Sequence, residues 1–165
     1  MKRIAILGAG GMGTALALLF ARKGHEVQLW ARDRARAEEM AQTRRNLRHL
    51  PNAEIPPEIV ITPNACDASA CADLLVAAVP SAFLRATFAD LRERVPVGVP
   101  VLSVIKGIEN ETLARPSQIL VESLGPRPVA VLSGPSHAEE LALGMPAWSW
   151  WPVPIPASTW RCATP

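Results

Sequence analysis

The sequence predicts an α/β fold, a doubly wound and mainly parallel sheet, on three observations. Short apolar, β-branched runs recur along the chain, stretches of helical spacing separate them, and a glycine cluster stands between the first run and the first helix. Alternation of this kind marks parallel strands joined by right-handed crossovers. A chain of 165 residues fits one domain of ordinary size. Its 49% hydrophobic and 19% charged content excludes a charge-dominated disordered chain.

Each element has its own signal. Ile4-Ala5-Ile6-Leu7 reads as a strand buried on both faces. Gly8-Ala9-Gly10-Gly11-Met12-Gly13 follows, and Met12, Ala15, Leu16, Leu19 and Phe20 then recur at helical spacing up to a stop at Gly24. Val27–Trp30 is the second predicted strand. Arg34–Arg44 is a charged helix with Ala37, Met40 and Ala41 inward, and Asn46–Pro57 is a proline-bearing loop. Further strands are predicted at Ile59–Ile61, Leu74–Val79, Val101–Val104 and Val129–Leu132. A helix is predicted over Ala82–Arg94 with Ser81 as its N-cap, and another over Ala138–Leu143. Beyond Met145 the chain turns to tryptophan and proline. Prolines 152, 154 and 156 forbid a helix or a central strand there. The expectation is a folded domain over 1–147 and an irregular tail over 148–165, read either as a proline-rich segment of polyproline II character or, preferred, as the product of a change of coding frame near Ala147.

The opening Met1-Lys2-Arg3 imitates a signal peptide, but glycines interrupt the apolar run behind it and no small-residue cleavage site follows. No apolar run approaches the ~20 residues of a membrane span. Cys66, Cys71 and Cys162 form no CxxC pair and an odd set, so neither a disulfide framework nor a metal site is predicted. A reducing cytoplasm is the expected compartment. Cys66 and Cys71 read as packing residues of an alanine-rich helix.

The glycine cluster carries the chemistry. Gly8-x-Gly10-x-x-Gly13 follows a strand and opens a helix, the context in which this spacing signals dinucleotide binding. Gly8 permits the tight turn, Gly10 lets a pyrophosphate approach the backbone, and Gly13 lets helix and strand pack closely. The helix N-terminus adds free N–H groups and partial positive charge. The expected fold is therefore Rossmann-like. At the end of the second strand an NAD site usually carries an acid for the ribose hydroxyls. Here Trp30-Ala31-Arg32 stands instead, with Glu26 at the wrong end and Asp33 one residue beyond. A guanidinium there suits a 2′-phosphate, so NADP(H) is preferred and NAD(H) stays open.

Lys106-Gly107 follows a strand whose carboxyl end faces the ligand edge of such a sheet. Ser133-Gly134-Pro135-Ser136 follows the last strand; as a substrate loop and as an ordinary helix-capping turn it reads equally well. His25, in a turn before the second strand, reads as solvated, and His49 and His137 as poor catalytic candidates. The first 50 residues hold ten Lys and Arg against four Asp and Glu, six of the arginines between Arg32 and Arg48. No aromatic positions interleave with those arginines, so they read as a solvated helix face and no nucleic-acid partner is expected.

Together these segments resemble the N-terminal domain of bacterial-type NAD(P)-dependent glycerol-3-phosphate dehydrogenase over roughly residues 3–147. The resemblance rests on Gly8–Ala17, Leu29-Trp30-Ala31-Arg32, Asn46–Pro51, Ala78-Val79-Pro80-Ser81, Lys106-Gly107-Ile108-Glu109 and Ser133–Glu140. It implies interconversion of sn-glycerol 3-phosphate and dihydroxyacetone phosphate for glycerophospholipid synthesis. It implies cofactor contacts at Gly11, Met12, Arg32 and Ala138, a shared cofactor and substrate contact at Lys106, and substrate contacts at Gly134 and Ser136. Ile105 and His137 depart from residues usual in the family. The family's proton-transferring lysine belongs to a second, helical domain with no counterpart in this sequence, so no catalytic residue is assigned and little turnover is expected. The expected partner is a small phosphorylated substrate, and a homo-oligomer stays open. The alternatives are a non-catalytic NAD(P)-binding module and another dehydrogenase such as a ketopantoate reductase-like protein.

Overall fold

A computed structural model of the chain describes residues 1–134 and 137–144. The predicted tail and Ser136 lie outside the described residues. Six strands form one sheet: β1 (Arg3–Leu7), β2 (Glu26–Trp30), β5 (Val60–Thr62), β6 (Leu74–Ala77), β7 (Val101–Ser103) and β8 (Val129–Val131). Their order is β5-β2-β1-β6-β7-β8, and every neighbouring pair is parallel. Helix α1 (Gly11–Arg22), α2 (Arg34–Thr43) and α6 (Ala138–Ala142) cover one face. The other carries α3 (Ala65–Ser69), α4 (Ser81–Ala89) and α5 (Pro116–Leu124). This is the doubly wound, Rossmann-like architecture the alternation predicts.

Strand β1 shows how the pattern builds two cores. Ile4 and Ile6 face Leu16, Leu18, Met40 and Ile59, whereas Ala5 and Leu7 face Leu75, Phe88 and Ile119. All four residues of the run are buried, so a continuous apolar strand is what a sheet covered on both sides requires. The chain leaves β1 toward β2 on one side and reaches β6 on the other. The carboxyl ends of β1 and β6 therefore flank a crevice where the strand order reverses.

Several expectations are corrected. The segment after α2 is not a plain loop: β3 (Arg45–Asn46) and β4 (Leu50–Glu54) form a separate antiparallel ribbon. Pro51 is tolerated because a two-stranded ribbon leaves one side of each strand without a partner. Arg44 closes its base from a left-handed backbone (φ 53°), its guanidinium donating to the carbonyls of Ile55, Pro56 and Ile59. Helix α4 begins at Ser81 and ends at Ala89, and Ser81 is not its cap. Pro80 takes the N-cap position in extended backbone, with no side-chain cap. Residues beyond Ala89 tighten into turns in which Leu91 N–H donates to Phe88 and Arg94 N–H to Leu91. His25 is half-buried rather than solvated. Its ring meets Phe20 edge-on at 6.1 Å, and its buried Nδ1 has no hydrogen-bond partner among the described residues. Cys66 packs within α3, but Cys71 lies past its end and is exposed.

Candidate functional site

The glycine turn is built from three unlike positions. Gly8 has φ +125°, and a Cβ there would lie 2.5 Å from the Ala78 carbonyl oxygen, so the ends of β1 and β6 touch only because it has no side chain. A Cβ on Gly13 would collide with the Gly8 carbonyl, which fixes how closely α1 leaves β1. Gly10 differs from both. Its φ of −76° suits any residue, and nothing lies within 4 Å of where its Cβ would stand. The fold does not demand glycine here. What its absent side chain preserves is open space over the turn.

That space is a cleft of about 870 Å³ at the carboxyl edge of the sheet, within the size range of small-molecule and cofactor sites. Gly8, Gly10, Gly11 and Met12 form its floor, Arg32 lies at the end of β2, and Lys106 lies beyond β7. Gly10 is the N-cap of α1 and Pro80 the N-cap of α4, and neither helix has a side-chain cap. Both N-termini adjoin the cleft, so the uncapped N–H groups and dipole ends of two helices favour an anion there. Among the described residues, four basic side chains, Arg32, Arg34, Arg36 and Lys106, line it against a single acid, Asp33. The Asp33 Oδ1 already accepts from the Arg36 backbone N–H at 3.2 Å as the cap of α2.

Arg32 is exposed, and its guanidinium lies 4.9 Å from the centroid of Phe83 on α4, a cation–π contact. Phe83 is itself half-exposed at 47%, so an aromatic face and a guanidinium meet at one end of the cleft. Lys106 is exposed at the opposite sheet position, and Gly107 follows it with φ +110°. The loop is held by Arg85 on α4, which grips Glu109 through two bonds of 2.9 and 2.8 Å and Glu122 on α5 through a third of 2.8 Å.

The Arg85 grip, helped by the Thr112 hydroxyl, pulls the Glu109 carboxyl down to about 2 from an ordinary value of 4.5. A carboxyl lowered on folding stabilises the fold above its unfolded value, and that stabilisation is lost as pH falls toward about 2. Glu109→Gln is expected to lower the melting temperature slightly at neutral pH, because a partly exposed pair contributes modestly, and to flatten its fall between these two values, where wild type loses the same stabilisation. Thermal melts at matched pH values measure this. An unchanged acid limb would show that the grip contributes nothing to stability.

The remaining predicted residues divide. Gly13 is buried beneath the turn, away from the cleft surface. Ala138 opens α6 and packs behind the turn: a Cβ on Gly11 would stand 3.3 Å from its own. Gly134, half-buried with φ +140°, follows β8 but does not line the cleft. Sequence reasoning missed Arg36, Asn46 and Phe83 and dismissed His49, although Arg36, Phe83 and His49 all line the cleft. Burial, then the charges of Arg36 and Arg48, pushes the His49 imidazole below its usual value. Arg36 did carry a signal. It precedes the buried Met40 by four residues and so shares the inward face of α2.

Fold and cleft together define a dinucleotide-binding domain of the Rossmann type. The model of the family described as NAD-dependent glycerol-3-phosphate dehydrogenase N-terminus matches residues 3–150. The chain belongs to that family. It is 40% identical over 148 residues to a glycerol-3-phosphate dehydrogenase [NAD(P)+] of Fusobacterium nucleatum, covering 88% of this chain and 44% of the relative. It is 46% identical over 145 residues to one of Moorella thermoacetica, covering 88% and 43%. The crystal structure of glycerol-3-phosphate dehydrogenase from Coxiella burnetii superposes with a TM-score of 0.83 at 32% identity, over 88% of this chain and 45% of that one. The chain thus spans less than half the length of the relatives it matches. No helix among the described residues is long and apolar enough to cross a membrane.

Proposed function

We propose that the chain forms the NAD(P)-binding portion of an oxidoreductase that interconverts sn-glycerol 3-phosphate and dihydroxyacetone phosphate. The observation that carries this reading is the basic cleft over Gly10, where the sequence withholds a side chain that the fold would accept. In this reading the backbone of Gly10, Gly11 and Met12 receives the pyrophosphate, while Gly8 and Gly13 fix the turn. Arg32 receives the 2′-phosphate of NADP(H), with NAD(H) as the alternative, and Ala138 backs the turn beside Gly11. Bound cofactor supplies the hydride acceptor and donor. Lys106 contributes a compact positive charge at the other end of the cleft, suited to hold an anionic substrate against the cofactor site. Gly134 and Ser136 belong to the substrate side, and the cytoplasm is the proposed compartment.

The experiment is a titration of the purified chain with NADPH, followed by nicotinamide fluorescence, with ADP as competitor. Saturable binding that ADP displaces is expected. No saturable binding overturns the reading.

A further inference from the structure

The glycine turn rests on a buried polar hub that its own motif does not contain. Asn46, only 1% exposed, comes from the ribbon and lies under the turn. Its Nδ2 donates to the Ala9 carbonyl at 3.1 Å and to the Thr14 hydroxyl at 2.8 Å. Its Oδ1 accepts from Arg36 Nη2 at 3.1 Å and from the His49 N–H at 3.3 Å. Both donors and both lone pairs of the amide are therefore used. Arg36 Nη2 also donates to the Ala9 carbonyl at 2.7 Å, while its buried Nε has no partner among the described residues. Burial, followed by the charge of Arg48, holds that guanidinium below its usual value. The Thr14 hydroxyl and N–H take the next carbonyl, that of Gly10, at 2.9 and 3.0 Å.

Peptide geometry turns these bonds into a directional device. A trans peptide is planar, with its C=O and the following N–H pointing in opposite senses, and no cis peptide occurs among the described residues. Pinning the Ala9 carbonyl to Asn46 and Arg36 directs the Gly10 N–H away from the hub. Pinning the Gly10 carbonyl to Thr14 does the same for the Gly11 N–H. Two successive amide donors are thus aimed by side chains that need not touch a ligand.

We infer that Asn46 and Arg36 are positioning residues for the pyrophosphate turn, acting through the Ala9 carbonyl and Thr14. This rests on the dinucleotide-binding reading above. It assigns a role to the ribbon, whose Asn46 also sets His49 against the start of α1. The substitutions that test it, Asn46→Ala and Arg36→Lys, leave the net charge unchanged. The measurements are dissociation constants of the full chain for NADPH, NADH and ADP at low and high salt, beside Arg32→Ala. Melting curves identify temperatures at which each variant is folded.

The expected result is a common loss on the order of tenfold for all three ligands, the size of losing one or two net hydrogen bonds. Because no charge changes, that loss is the same at both salt concentrations, whereas Arg32→Ala affects NADPH alone. Changed amide shifts at Gly10 and Gly11 in the ligand-free variants accompany it. Should Asn46→Ala not fold, Arg36→Lys carries the test, since Arg36 is only partly buried. Variants that fold yet bind within about twofold of wild type, or lose only melting temperature, overturn the positioning role and leave the cleft reading intact. A wild-type chain that binds none of the three ligands overturns both.

Discussion

Gly10→Val is expected to abolish measurable NADPH binding while leaving the fold almost unchanged. The separation follows from the site. A valine at this position meets no atom within 4 Å of its Cβ and needs no unusual φ. At a helix N-cap an apolar residue is poorer than glycine by about 1 kcal/mol or less. Replacing glycine also removes freedom from the unfolded chain, which returns ~0.4–1 kcal/mol. The two terms nearly cancel, so little change in melting temperature is expected. The ligand has no such compensation, because the valine methyl groups would stand in the space over the turn. Losing two charge-assisted bonds to backbone N–H groups, at ~1.5–3 kcal/mol each, weakens binding by ~100-fold or more. Fluorescence titration beside a melting curve measures both quantities. Equal affinity in wild type and variant would remove Gly10 from the binding surface. Gly8→Val and Gly13→Val are expected to behave in the opposite way. Their added atoms collide with the Ala78 and Gly8 carbonyls, so the fold itself should fail.

The contrast among these glycines shows what was legible in the sequence. A strand, a glycine spacing and a helix are local signals, and each follows from residues within one turn or one strand of the other. The sheet, both helical layers and the cleft-lining set of Gly8, Gly10, Gly11, Met12, Arg32 and Lys106 could therefore be read directly. Asn46 could not be assigned a role, since its partners Ala9 and Thr14 are 37 and 32 residues away. A single buried asparagine in a polar stretch has the same local appearance as a solvated one. Phe83 was hidden for a related reason. On an amphipathic helix it looks like a core residue, yet the core of α4 is Leu84 and Phe88, leaving Phe83 to face Arg32. The ribbon was misread because Pro51 argues against a strand, an argument that holds inside a sheet and fails in a two-stranded ribbon.

The second large effect concerns cofactor choice. Arg32→Ala is expected to weaken NADPH by about tenfold and NADH by less than about twofold. A charge-assisted bond to a phosphate contributes ~1.5–3 kcal/mol, and the exposure of Arg32 places its contribution at the lower end because water and salt screen it. Phe83 partly offsets that loss. A guanidinium 4.9 Å above the ring is already held in one place, by ~0.5–1 kcal/mol at an exposed site, so less side-chain freedom is given up when a phosphate arrives. Phe83→Ala is therefore expected to lower NADPH affinity in the same direction as Arg32→Ala but less. Added salt should narrow the wild-type preference, since the Debye length falls from ~10 Å at 0.1 M to ~3 Å at 1 M. The measurement is the ratio of the two dissociation constants in wild type and variants across that range. A ratio that Arg32→Ala leaves unchanged would place the 2′-phosphate elsewhere, at Arg34 or Arg36, the other two guanidinium groups lining the cleft.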